Sequence, residues 1–72
     1  MADLKFEIKQ SIACLSNETN GWTKELNMVS WDGRPPKYDI RAWSPDHSKM
    51  GKGVTLTTDE LTVLKNVLVE LL

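Results

Sequence analysis

The segment from Lys37 to Leu56 constrains this chain most. Lys37, Asp39, Arg41 and Trp43 alternate with Tyr38, Ile40 and Ala42, and after a loop the chain continues Lys52-Gly53-Val54-Thr55-Leu56. Strand side chains alternate between two faces, so the first run reads as a strand with two cations and an indole on one face and apolar groups on the other. A sheet face that interleaves cations with an aromatic suits single-stranded nucleic acid, whose bases offer flat rings to stack and whose phosphates offer negative charge.

Turn chemistry divides the remainder. Residues 4 to 15 read as a half-buried strand, with Phe6, Ile8, Ile12 and Cys14 towards the core and Glu7, Lys9 and Ser11 away from it. Gln10 interrupts the apolar side and marks a bend or bulge. Ser16 to Gly21 is turn sequence throughout. Residues 22 to 31 form the second expected strand, in which Trp22, Lys24, Leu26 and Met28 share one parity and Val29 and Trp31 the other. With Leu26 and Met28 in the core, Trp31 faces solvent. Asp32-Gly33 signals a tight turn, and Pro35-Pro36 lack the N–H groups that ladder pairing needs, so the turn becomes a projecting loop carrying Arg34. Residues 37 to 43 make strand three, Ser44 to Gly51 a loop, and residues 52 to 56 a short strand four.

Thr57-Thr58-Asp59-Glu60 fits a capping box and opens a helix over residues 58 to 72. On it Leu61, Val63, Leu64, Val67, Leu68, Leu71 and Leu72 cover about half the circumference. That face is wide for one helix on one small sheet, which predicts a second subunit packed against it. The fold class is α+β, with four strands and one C-terminal helix in a single domain over residues 1 to 72.

Length supports the same inference, because a 72-residue chain builds a core that supplies only roughly 3 to 5 kcal/mol unless something else helps. Cys14 is the only cysteine, so no internal disulfide forms, and one His with one Cys does not make a four-ligand zinc site. Oligomerisation remains. No signal sequence opens the chain, and no apolar run approaches the roughly 18 residues of a membrane span. The expectation is a cytoplasmic protein with no membrane contact, no metal or other cofactor and no small-molecule substrate. His47 beside Asp46 is an acid–base pair without a nucleophile, a second base or a Gly-rich phosphate loop, so it reads as a bystander and no enzymatic activity is expected. The net charge of −1 runs against a general nucleic-acid footprint. Its distribution does not: residues 20 to 55 hold six Lys and Arg against four Asp and Glu. That local surplus predicts binding that weakens as salt rises.

Tyr38-Asp39-Ile40-Arg41-Ala42-Trp43, followed by Lys49-Met50-Gly51-Lys52-Gly53-Val54-Thr55-Leu56 and a helix, resembles the single-stranded-DNA-binding domain of the transcriptional coactivator family founded by human positive cofactor four. The chain looks closest to its small bacterial members of the YdbC type. The resemblance implies a strongly curved, four-stranded antiparallel sheet with a C-terminal helix, and a symmetric homodimer, joined through that helix, whose sheets form two channels for single-stranded DNA. By position, it implies that Trp31 stacks on a base and that Arg34 is a cation in the following loop. Arg41 is the arginine of the Asp-Ile-Arg motif, Lys49 and Lys52 lead into strand four, and Lys24 matches a cation on strand two. Lys37 and Trp43 join this set by sharing the face of Arg41. Asp32 stands where the founder has a lysine; the Pro-Pro insertion lengthens the loop, and Ser44 replaces an aromatic of the founder, leaving Trp43 as the nearest stacking substitute.

Each of these residues also has a purely structural role open to it. Trp22, Trp31 and Trp43 are of a type that commonly anchors cores and interfaces. Asp39 lies between two cations and suits a pair that fixes the Arg41 guanidinium. Gly51 and Gly53 supply backbone freedom at a bend or bulge. The sequence therefore points first to non-catalytic, weakly sequence-selective binding of single-stranded DNA, in transcription regulation or the handling of melted DNA. The alternatives are a dimeric protein-interaction module and a single-stranded RNA binder.

Overall fold

The computed structural model describes residues 5–72, and the expected start of the first strand at Leu4 lies outside the described residues. Four strands, β1 (Phe6–Asn17), β2 (Thr23–Trp31), β3 (Lys37–Trp43) and β4 (Met50–Leu56), precede one helix, α1 (Thr58–Leu71). They form one sheet in the order β1-β2-β3-β4, each neighbouring pair antiparallel. The architecture is the predicted α+β arrangement of four antiparallel strands and a C-terminal helix. β1 runs two residues beyond the expected Leu15, and β4 begins at Met50 rather than Lys52.

The connections follow from local chemistry. Asp32 and Gly33 both adopt positive φ, 51° and 74°, as a two-residue hairpin turn requires. The Arg34 N–H closes it by donating to the Trp31 carbonyl at 2.9 Å. Asp32 also ties the turn to the start of β1: its N–H donates to the Lys5 carbonyl at 2.8 Å, and the Lys5 N–H donates to Asp32 Oδ1 at 3.3 Å. At the opposite edge of the sheet, after β4, the Thr57 hydroxyl accepts from the Glu60 N–H and the Glu60 carboxylate accepts from the Thr57 N–H, completing the capping box that starts α1.

The sheet curls. Phe6 pairs with Trp31 and Trp43 with Thr23, eight residues apart along β2, a separation of roughly 26 Å in a flat sheet at about 3.3 Å per residue. Yet the Phe6 and Trp43 rings lie 5.2 Å apart. Only a strongly coiled sheet brings them together, and the face carrying them is the concave one. Cross-strand partners share a face, so register places Val29, Asn27 and Glu25 of β2 with Lys37, Asp39, Arg41 and Trp43 of β3 on that side.

This reverses the expected inside and outside. Leu26 and Met28, expected in the core, and Ile40 and Ala42, expected on the apolar face of strand three, lie on the convex face and are only half-buried. Among the described residues the buried hydrophobics are Val29 and Trp43, joined on the concave face by the fully buried polar Asn27 and Asp39; Ser30 and Ser44 are the other buried polar residues. Curvature is the reason: a coiled sheet covers its concave side with its own strands. Its convex side needs another layer, and α1 touches only β3 and β4.

β1 departs in the same way. Its register slips at Ile8/Gln10, Ser11/Ala13 and Cys14/Ser16, and the bulges shift the alternation: Phe6, Ile8 and Cys14 pair with Trp31, Val29 and Glu25 on the concave side, but Ser11 joins them opposite Asn27 and Ile12 falls in a slip. Ile12 is 40% exposed and Cys14 is exposed, contrary to expectation. No helix of the described chain is long and apolar enough to cross a membrane.

With so small a buried set, Trp43→Ala is expected to cost about 3 to 5 kcal/mol, as much as the whole stability of a domain this size, whereas Cys14→Ser should stay within about 0.5 kcal/mol. Urea unfolding followed by circular dichroism checks both; equal midpoints for the two variants would contradict the concave core.

Candidate nucleic-acid interface

Asp39 organises the concave face. Its side chain is fully buried and holds Arg41 through both oxygens, Nε donating to Oδ1 at 2.7 Å and an Nη to Oδ2 at 2.8 Å. Thr55 of β4 adds a third donor at 3.2 Å. Such a two-point fork fixes the guanidinium plane, which a lysine cannot do. The other Nη reaches the Gly51 carbonyl at 3.4 Å and the Met50 sulfur at 3.5 Å. Gly53 makes the room: a Cβ there would collide with Arg41 Cβ and the Ile40 carbonyl oxygen. The structural role foreseen for Asp39 is the one it occupies, and Arg41 is largely spent on it.

The guanidinium then supports Trp31. Arg41 Cζ lies 4.7 Å from the centre of the Trp31 ring, a cation–π stack, and Phe6 leans on the same indole at 6.0 Å and 48°. Trp31 is half-buried at the end of β2, with its Nε1 covered and without a partner among the described residues. What it offers outward is therefore ring rather than N–H, which suits stacking and not edge recognition. Arg34, in the turn that follows, and Lys37, at the start of β3, are both exposed. No ion pair engages Lys24, Arg34, Lys37, Lys49 or Lys52 among the described residues.

The eight residues singled out from the sequence do not share one surface. Trp31, Lys37 and Arg41 belong to the concave face, with Arg34 beside Trp31 in the turn. Lys24 pairs with Ala42 on the convex face. Lys49 lies in the β3–β4 loop, and Lys52 sits in the bulge opposite Ala42, where two residues of β4 face one of β3. Trp43 shares the concave face as its parity implied, but it is fully buried. With Phe6 on it at 5.2 Å and His47 stacked at 5.7 Å, its ring presents no surface to a base.

His47 and Glu25 are the pair that sequence reasoning missed. His47 Nε2 lies 2.9 Å from Glu25 Oε2, bracing the β3–β4 loop against β2 over the Trp43 ring. The signal available was parity: Glu25 shares the face of Trp31, and its cross-strand partner is Arg41. Glu25 also accepts from the Thr23 hydroxyl and the Asn27 amide. Burial raises the Glu25 pKa, but the hydrogen bonds from Thr23, Asn27 and His47 outweigh it and hold the carboxyl below its ordinary value. Asp46, in the same loop, is lowered to about 2 by hydrogen bonds from the Ser48 hydroxyl and N–H and from the Ser44 hydroxyl.

The comparisons with known proteins agree with the motifs. The family model described as Transcriptional Coactivator p15 (PC4) matches residues 18–67. An uncharacterized protein of Treponema pallidum (strain Nichols) is 56% identical over 66 residues, which span 92% of this chain and 78% of the relative.

A carboxyl with a lowered folded pKa stabilises the fold while ionised, and the contribution is lost as pH falls through that lowered value. For Glu25 the loss begins below the ordinary value of 4.5. Glu25→Gln should therefore flatten the acid limb of a plot of urea midpoint against pH below about 4.5; coincident acid limbs for the two proteins would remove Glu25 from this role.

Proposed function

This chain belongs to the PC4 family, and we propose that it binds single-stranded DNA as a homodimer, without catalysis and with little sequence preference. The observation that carries the reading is the Trp31 indole at the rim of the concave face, held from within by Arg41 and Phe6 and flanked by Arg34 and Lys37. Such a platform stacks any base, because every base has a π-face, while unpaired cations neutralise the phosphates. Trp31, Arg34 and Lys37 form the primary contact in this reading. Lys24, Lys49 and Lys52, on other surfaces, contribute along the path of a longer strand. Arg41 acts through the position of Trp31. Trp43 supports the core instead of meeting a base.

The homodimer is proposed from what one chain leaves uncovered. No residue of α1 is buried, and Leu64, Leu68 and Leu72 are exposed on one side of the helix with Val63, Val67 and Leu71 on another. The half-covered apolar residues of the convex sheet face add to that uncovered area. The radius of gyration, 13.2 Å, exceeds the roughly 11 Å of a compact chain of this length. A second copy supplies equal and complementary apolar area at no cost in specificity, which favours it over a foreign protein partner. The proposed setting is the bacterial cytoplasm, in transcription regulation or at transiently melted DNA.

Two measurements test this. Dye-labelled oligothymidine of about 20 nucleotides, titrated by anisotropy, should bind with a steep loss as salt rises and far more tightly than matched duplex. Trp31→Ala should weaken it about 5- to 150-fold, the value of one stacked base. Binding indifferent to Trp31 and to salt would contradict the reading. Sedimentation should give twice the chain mass, reduced to the monomer by Val67→Asp; a monomer in the unaltered protein would refute the dimer.

A further inference from the structure

At the end of β2 opposite Trp31, a second tryptophan stands between two loops. Trp22 precedes Thr23, the cross-strand partner of Trp43, and is half-buried. The β1–β2 turn and the β3–β4 loop close around it: a Cβ on Gly21, at φ +86°, would lie 3.3 Å from Pro45 Cγ. On one side a cleft of about 410 Å³ is lined by Trp22, Ser44, Pro45, Asp46, Ser48 and Lys49. That is within the range of small-ligand clefts, roughly 300 to 1,000 Å³.

The polar groups of this cleft are built and oriented. Asp46 Oδ1 accepts from the Ser44 hydroxyl at 3.0 Å, the Ser48 N–H at 3.0 Å and the Ser48 hydroxyl at 2.7 Å. All three donors sit on one oxygen, so the carboxylate is fixed while Oδ2 keeps its acceptor capacity. The Ser44 hydroxyl in turn accepts from the Lys49 N–H at 3.0 Å, which sets where the Lys49 side chain leaves the loop. An indole face, a fixed acceptor and a cation without an ion pair are thus gathered in one place. A nucleotide carries the complement of each: a ring, amino donors and a phosphate.

We infer that this cleft is a second nucleotide subsite, in which a base stacks on Trp22, its phosphate meets Lys49, and Asp46 Oδ2 accepts from an exocyclic amino group, favouring cytosine over thymine. The inference rests on the single-strand reading above and adds to it a base preference at one position. Aspartate accepts from cytosine N4, while thymine presents a carbonyl there, which the carboxylate repels. The remainder of the strand, stacked on Trp31, is read without preference.

Dye-labelled oligocytidine and oligothymidine of about 16 nucleotides, long enough to reach both ends of the sheet, are titrated by anisotropy. Wild-type protein should prefer cytidine about fivefold. Trp22→Ala should weaken oligocytidine binding about tenfold and abolish the preference, while Trp22→Phe retains both. Asp46→Asn, which keeps Oδ1 and its donors but turns Oδ2 into an amide, should equalise the two oligomers. Trp31→Ala should weaken both alike and leave the preference. Unchanged binding in Trp22→Ala with a clear loss in Trp31→Ala overturns the subsite and leaves the single-strand reading standing. Equal affinity of wild type for the two oligomers overturns the base preference, and no binding of either overturns both.

Discussion

The ion pair between Asp39 and Arg41 is the interaction on which the concave face depends. A carboxylate without solvent exposure is tolerated only when its charge and lone pairs are matched. Here Arg41 supplies two parallel hydrogen bonds and Thr55 a third. The pair joins β3 to β4, and through the remaining guanidinium edge it reaches Gly51 and Met50 across the bulge. Its flat face carries Trp31 of β2. One buried salt bridge therefore connects three strands and sets the attitude of the one tryptophan that both receives internal support and meets solvent.

Strand parity is what the sequence conveyed most reliably, and curvature is what it withheld. Lys37, Asp39, Arg41 and Trp43 do share a face, and Asp32-Gly33, the bulge at Gly51 and Lys52, and the Thr57 cap all stand where their local chemistry puts them. Those features depend on residues a few positions apart. Which face is inside depends on how far the sheet coils, a property of all four strands together. The apolar alternation of Leu26, Met28, Ile40 and Ala42 looks like a core because in a flat sheet it would be one. In this sheet the concave side is covered by Phe6, Trp31 and Trp43, so Trp43 is buried and loses the role its neighbours suggested. β1 was the least legible element, because three bulges in an edge strand erase the period-two pattern.

The candidate site was legible by residue type and not by position. The cations and tryptophans singled out by their chemistry are distributed by register over both faces and both ends of the sheet. The pairing of His47 with Glu25 joins residues far apart in sequence, and only the folded β3–β4 loop brings them together. The loop that this pair braces also holds Asp46, Ser44 and Lys49 beside Trp22. A chain with few fully buried side chains thus commits its concave face and one loop to ordered polar contacts, while its helix and convex face await an apolar cover.

The account turns on the three tryptophans having different fates. The most direct measurement is to follow their indole N–H signals by two-dimensional NMR, assigned by single Trp→Phe variants, during titration with a single-stranded thymidine oligomer. The account predicts that the Trp31 signal shifts strongly and that the Trp43 signal stays in place, because its ring lies beneath Phe6 and His47. A shift of Trp43 with Trp31 unmoved would contradict it.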